Sequence, residues 1–402
     1  MIREFNMKVR FDTTRRVVAV LVLAVAATGC VHSPTANIDY AWKVKTSKDT
    51  QNVGYPDTNA TYWGIRNYVL LPGQQIILSG TYPYARYMSL HTYSFVGGAF
   101  DHIPDYRIVP DAGSDNPFTN PTGSADPAQR HWTVTVSPDA PATGGQNGDN
   151  LLATPKIGTL ALRVYMPDPG FDEAGGVPLP DVSVRNVDGT ITAVPPCPSP
   201  GPVQTLPVLA YLFPTPPELP SDPPVFSRVT ETETANIFPN LDNAYVRDFV
   251  AHQPGKIIVV RGKAPTTPDT QAGQSPATPS QLRYWSFCTN AYRKPYPVCS
   301  CVADHEAPLD SSGFYTIVVS TPAERPANAT LANGITWVDW GSTSVNMLMM
   351  MRHMIPAADF TQSAANVAPG QPASTAMGDY TPVAKFCDAS TFETGGATAC
   401  GF

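Results

Sequence analysis

The stretch Pro72-Gly73-Gln74-Gln75-Ile76-Ile77-Leu78-Ser79-Gly80 decides the fold, because it occurs twice. Its counterpart is Pro254-Gly255-Lys256-Ile257-Ile258-Val259-Val260-Arg261-Gly262, 182 residues further on. Pro-Gly marks a turn, and the β-branched run after it marks a strand. Upstream, residues 63–71 align with 245–253 at the same spacing. Downstream, Ala85-Arg86-Tyr87-Met88-Ser89-Leu90 corresponds to Leu282-Arg283-Tyr284-Trp285-Ser286-Phe287. Residues 108–111 then align with 301–304, 132–137 with 315–320, and 162–167 with 351–356. Blocks repeating in one order predict a duplicated domain. The Pro/Thr/Gln-rich stretch 264–281 reads as a lengthened hairpin loop in the second copy.

Alternation supports strands. Tyr87, Ser89, His91 and Tyr93 share one strand face, and Arg86, Met88, Leu90 and Thr92 the other. The runs 76–78 and 257–260 read as strands buried on both faces. Proline is abundant, 43 of 402 residues, and each one inside a helix costs about 3 kcal/mol. Long helices and coiled coils are therefore excluded. Hydrophobic residues, at 42%, suffice for a core. The predicted fold class is all-β: two tandem duplicated antiparallel β-sandwich or jelly-roll-like domains. The first copy is expected over residues 59–185 and the second over 241–402, joined by a Pro-rich linker over 186–240. Residues 30–58 read as a polar tether. The run Met347-Leu348-Met349-Met350-Met351 falls on a repeated strand and reads as core, not as a metal-binding cluster.

Residues 1–29 read as a signal peptide. Lys8, Arg10, Arg15 and Arg16 precede an apolar run over 17–27 that is too short to span a bilayer. The run ends at Ala27-Thr28-Gly29-Cys30, which resembles the bacterial lipobox. The resemblance implies a lipoprotein acylated at Cys30 and held on the extracytoplasmic face of the membrane or envelope. Removing residues 1–29 takes away five basic and two acidic groups and moves the net charge from −7 to −10. The lipid, not surface charge, would then hold the protein to an anionic membrane. The acidic balance argues against a nucleic-acid partner.

Six further cysteines remain: Cys197, Cys288, Cys299, Cys301, Cys387 and Cys400. An even number in an exported chain predicts disulfides, whose pairing spacing cannot choose. Cys387 with Cys400 would close a Gly-containing loop, and Cys288 with Cys299 or Cys301 would staple a hairpin. Cys299-Ser300-Cys301 is a C-x-C and not the C-x₂-C of zinc sites, so no metal is expected. The loop 111–116 lacks the acidic pattern of a calcium loop and reads as a turn. No nucleophile elbow, zincin, P-loop or dinucleotide motif occurs, so no cofactor is assigned.

Arg86, His91, Asp101, His102, Asp105 and Asp111 form the densest polar cluster. One reading is an ion pair of Arg86 with Asp105 or Asp111, since Arg283 and Asp304 repeat the types. The other is acid–base work by His91 with Asp101 or Asp105. Tyr55, Tyr62, Trp63, Tyr82, Tyr84 and Tyr87 crowd one region; exposed, they would stack on sugar rings, and buried, they are core. The blocks at 83–89, 110–118 and 175–180 resemble uncharacterised secreted bacterial proteins, chiefly actinobacterial, a resemblance that implies export and a β-rich fold. The expected function is a lipid-anchored binding or structural module, with cell-wall glycan as the candidate partner. The alternative is an envelope hydrolase using His91.

Overall fold

The computed structural model describes residues 38–52, 56–202, 219–230, 238–293 and 296–402. The chain is all-β and built as two similar β-sandwiches. The first comprises β1 (Val44–Thr46), β2 (Ala60–Val69), β3 (Gln75–Thr81), β4 (Ala85–Ser94), β5 (Ala99–Pro104), β6 (His131–Ser137), β7 (Leu151–Ala153), β8 (Ile157–Pro167), β9 (Asp181–Arg185) and β10 (Ile191–Val194). Its sheets run β1-β2-β8-β4-β5 and β10-β9-β3-β6-β7. The second comprises β11 (Ser227–Arg228), β12 (Asn243–Ala251), β13 (Lys256–Lys263), β14 (Leu282–Ala291), β15 (Val298–Ala303), β16 (Phe314–Ser320), β17 (Thr336–Asp339), β18 (Asn346–Pro356) and β19 (Val383–Asp388), followed by helix α1 (Ala389–Ala399). Its sheets run β11-β12-β18-β14-β15 and β17-β16-β13-β19. The orders match strand for strand except for β10, which has no counterpart in the second sandwich, so the duplication read from the sequence is the architecture of the molecule.

Alternation builds each sandwich. In β6, Trp132, Val134 and Val136 point inward against Ile76 and Leu78 of β3 and against Leu160 and Leu162 of β8. Met347, Met349 and Met351 of β18 join Trp285, Phe287 and Val260 in the second core. The methionine run is thus core, as its place in the repeat implies. No helix among the described residues is long and apolar enough to cross a membrane.

Several expectations need correction. Two of the four sheets are antiparallel throughout, as expected, and two are mixed, because β6–β7 and β16–β17 pair in parallel. The run 257–260 is buried on both faces, with α1 and Phe392 covering the outer one. In the run 76–78, Ile77 is only half-buried, because no helix covers that side. The boundary at 185 cuts the β9–β10 hairpin, so the first sandwich extends through Val194. The supposed tether enters the fold by Ile38, supplies β1, and ends in the buried Asp57. Residues 221–228 are a strap on β12, held where Asp248 accepts from Ser221 Oγ and the Val225 amide.

The alignment of 108–111 with 301–304 is also displaced. Pro104 lies opposite Ser89, and Ala303 opposite Ser286. Asp105, not Asp111, is therefore the counterpart of Asp304. The 182-residue spacing holds from Tyr68 onward. Before it, β2 carries a bulge at Asn67, which lies in the left-handed region with φ 57°.

Disulfides join Cys288 to Cys301 and Cys387 to Cys400. The first staples β14 to β15; the second ties α1 to β19. Cys197 is buried, while Cys299 is a free, half-buried thiol. Cys30 lies outside the described residues.

Candidate functional site

The faces of β4 and β8 that point away from the first core are covered by the matching faces of β14 and β18. The polar cluster singled out in the sequence lies in this junction. Arg86 Nη1 donates to both carboxylate oxygens of Asp304 at 2.9 Å, and its Nε donates to Thr270 Oγ1 at 3.0 Å. Arg283 Nη1 donates to Asp105 Oδ1 at 3.1 Å. Each arginine therefore pairs with the aspartate of the other copy. The remaining carboxylate oxygen of Asp105 accepts the Met88 amide at 2.8 Å, and Asp304 likewise accepts the Trp285 amide at 3.2 Å. Burial pushes the Asp105 carboxyl up to about 6, against the pull of Arg283 and the Met88 amide.

A second pair of equivalent positions has diverged. Arg352 pairs with the buried Asp57, which also accepts from Ser286 Oγ at 2.7 Å and Tyr284 at 3.0 Å. Arg163 instead bonds the Tyr93 hydroxyl and, at 2.7 Å, the Phe238 carbonyl. The position matching Asp57 is Asn240, and Tyr87 donates to its Oδ1 at 3.2 Å and to Asp242 at 2.6 Å. Burial holds the Tyr87 and Tyr284 phenols well above their ordinary pKa, so both remain donors.

His91 sits on the covered face and is fully buried. Its Nε2 accepts the Leu241 amide at 3.1 Å, and its Nδ1 lies 3.1 Å from Ser89 Oγ. That pattern assigns the proton to Nδ1 of a neutral ring. Burial, then Arg163 and His102, pull its pKa well below the usual imidazole value. None of the expected carboxylates bonds His91. Asp101 accepts the amides of His102, Gly144 and Ala153, each at 2.9 Å. Asp111 accepts from Thr133 at 3.0 Å. The open acid–base cleft expected around His91 is not assembled, because a second domain occupies the space that a strand face alone would leave to solvent.

The cross-strand partner of His91 is His102. At the matching place in the second copy stand Cys288 and Cys301. Asp57 brings a carboxylate oxygen within 4.8 Å of both sulfurs, which is the one metal-like grouping among the described residues. The sulfurs are bonded to each other and Asp57 is paired with Arg352, so these ligands are already committed.

The expected aromatic patch is also dispersed. Trp63, Tyr82 and Tyr87 are buried, and Tyr62 is half-buried in the junction, 2.7 Å from the Tyr165 hydroxyl. Tyr55 lies outside the described residues. Tyr84 alone reaches the surface. It stacks on exposed Phe171 with centroids 4.6 Å apart and planes at 10°, and the Arg130 guanidinium lies 4.0 Å from its ring centre. Phe171 and Arg130 were missed because they lie far from Tyr84 in sequence.

No family model matches the chain, and no curated protein does. Among solved structures, an uncharacterized protein from Burkholderia cenocepacia is similar over 88% of this chain and 83% of that one, at 12% identity and a TM-score of 0.50. A protein from Vibrio parahaemolyticus covers 85% and 92% respectively, at 9% identity and a TM-score of 0.42. The first likeness concerns the fold alone.

Two outcomes are expected. Asp105→Ala leaves Arg283 buried without its charge partner and destabilises the fold by about 3–5 kcal/mol. The double variant Asp105→Leu/Arg283→Met recovers most of that loss, as read by urea unfolding. The His91 ring does not titrate between pH 7.5 and 5 in NMR spectra. The unfolded chain binds that proton below about pH 6.5 and the folded chain does not, so His91 lowers stability as pH falls through that value. A ring titrating near 6.5 would return His91 to solvent and to acid–base chemistry.

Proposed function

We propose that the protein is a lipid-anchored, extracytoplasmic envelope module that binds wall glycan through the Tyr84–Phe171 plate. Three features support this reading. The leader ends at Ala27-Thr28-Gly29-Cys30. The disulfides suit an oxidising compartment. Arg86 and Asp105 are spent on joining the two halves, His91 is buried between them, and Asp101 and Asp111 are bonded within the first copy.

The observation that carries the glycan reading is the plate itself. Its rings are parallel and Phe171 is exposed, while the buried Arg130, bonded to the Tyr82 and Pro83 carbonyls, lies over Tyr84 and fixes the plate in place. A saccharide presents C–H groups to an aromatic ring, and exposed Phe171 offers one.

The anchor is tested by mass spectrometry of the N-terminal peptide. A diacylglyceryl group on Cys30 is expected, and Cys30→Ser releases the protein from the membrane fraction. A Cys30 sulfur found in a disulfide with Cys197 would overturn the anchor. The plate is tested by incubating residues 31–402, which contain every described element, with isolated envelope fractions. Retention on the glycan fraction is expected, with at least a tenfold loss for Phe171→Ala, since an aromatic contact contributes about 1–2 kcal/mol. Equal retention of that variant overturns the glycan site.

A further inference from the structure

The first sandwich has one end at which β2, β4 and β9 finish and β8 begins. The pairings fix this: Val69 lies opposite Ile157, Ser94 opposite Gly158, and Gln75 opposite Arg185. Three connections at this end carry exposed apolar side chains. Leu71 stands in the β2–β3 turn, Phe95 in the β4–β5 turn with Phe100 beside it, and Val187 in the β9–β10 turn. Val69 and Ile157 stand on the strands between them. These six are 39–73% exposed. Val187 lies against the β2–β3 turn, where a Cβ on Gly73 would meet it at 3.1 Å. The tips are thus neighbours and not scattered singles.

The duplication provides an internal control. At the same end of the second sandwich, Gln253 occupies the place of Leu71, and Asn346 that of Ile157. Tyr292 replaces Phe95 and packs edge-on against Phe249 at 5.4 Å. Val345, beside Asn346, remains 66% exposed at that end, but three of the six apolar positions are polar or covered in the second copy, so the fold does not require apolar side chains at them.

We propose that this end of the first sandwich inserts its loop tips into the headgroup–acyl boundary of a lipid bilayer. Two arguments choose lipid over a protein partner. The apolar groups stand on separate turns and strand ends, spread over one end of the sandwich as a bilayer surface would meet them. In addition, the eight residues from Cys30 to Ile38 reach at most about 29 Å, so an acylated Cys30 would keep the first sandwich, and not the second, beside the membrane. The choice of lipid rests to that extent on the anchor proposed above, although the insertion itself needs no acyl chain. The tips are flanked by Lys156 and Arg185 but also by Asp139 and Asp188. Insertion is consequently driven by apolar burial, with little dependence on lipid charge or salt.

The test uses residues 31–402, without acyl chain, and sedimentation with phosphatidylcholine vesicles. Because no lipid anchor is present, a failed anchor and a failed insertion give separate results. Binding that changes less than twofold between 50 mM and 500 mM salt is expected (about the concentrations where charge attraction collapses). Leu71→Ser, Phe95→Ser and Val187→Ser should each weaken it by about tenfold. Leu309→Ser and Leu331→Ser, exposed apolar positions in the second copy, should leave it unchanged. The tip variants should keep the wild-type unfolding midpoint. Absence of vesicle binding overturns the proposal. So does binding that the tip variants leave intact, or a concentration-dependent dimer in gel filtration that they abolish.

Discussion

The molecule depends on two ion pairs exchanged between its halves. Taking an arginine and an aspartate out of water costs several kcal/mol per ion, and mutual attraction repays this only when the other lone pairs are also satisfied. Here Asp105 and Asp304 each take a backbone amide from the neighbouring strand of their own copy, at Met88 and Trp285. Each aspartate is thus held by its own half and charged against the other. Separating the halves would expose both arginines' partners at once, so the junction behaves as a core and the two sandwiches as one folding unit.

That exchange also explains what the sequence could and could not disclose. The repeat announced the duplication, the strands and the pairing of residue types, because 2.0-residue alternation and Pro-Gly turns are local. It placed Arg86 with Asp105 or Asp111 within one copy. In the folded chain Arg86 finds Asp304 instead. The two aspartates occupy equivalent positions, and nothing in spacing separates a contact within one copy from the same contact between copies. The misplacing of Asp111 has a simpler origin: the connection after β5 differs in length between the copies, and a four-residue match slid across it. His91 and the aromatics failed as surface predictions for the same reason as each other. Alternation says which residues share a face, but whether that face meets water depends on what packs on it, and here a second domain does.

Around a symmetric centre the copies have been free to diverge. The cross-strand pair His91–His102 became Cys288–Cys301, exchanging a packed pair of rings for a covalent staple. Asp57 stands where the other copy has Asn240, so one arginine has a carboxylate and its equivalent, Arg163, relies on hydroxyl and carbonyl oxygens. The outer face of β13 acquired α1 and the Cys387–Cys400 bridge, which explains why 257–260 can be apolar on both sides while Ile77 in 76–78 cannot be fully covered. Each change is a local substitution that leaves the exchanged ion pairs untouched.

Divergence of the surface carries the functional argument. Tyr84 precedes β4 and Phe171 follows β8, so the aromatic plate lies at the end of the first sandwich opposite to the apolar turns. A bilayer at the turns would orient the strands of this sandwich along the membrane normal and present the plate outward, away from the membrane. The second copy lacks the plate and several of the tips: Gln253 and Asn346 stand where the first copy has Leu71 and Ile157, and its counterpart of Tyr84, Gln281, is bonded to Tyr380. It contributes the aspartate and arginine that complete the junction. One copy thus holds the surfaces and the other holds that copy together, a division that a single sandwich with Arg86 and Asp105 left facing water could not sustain.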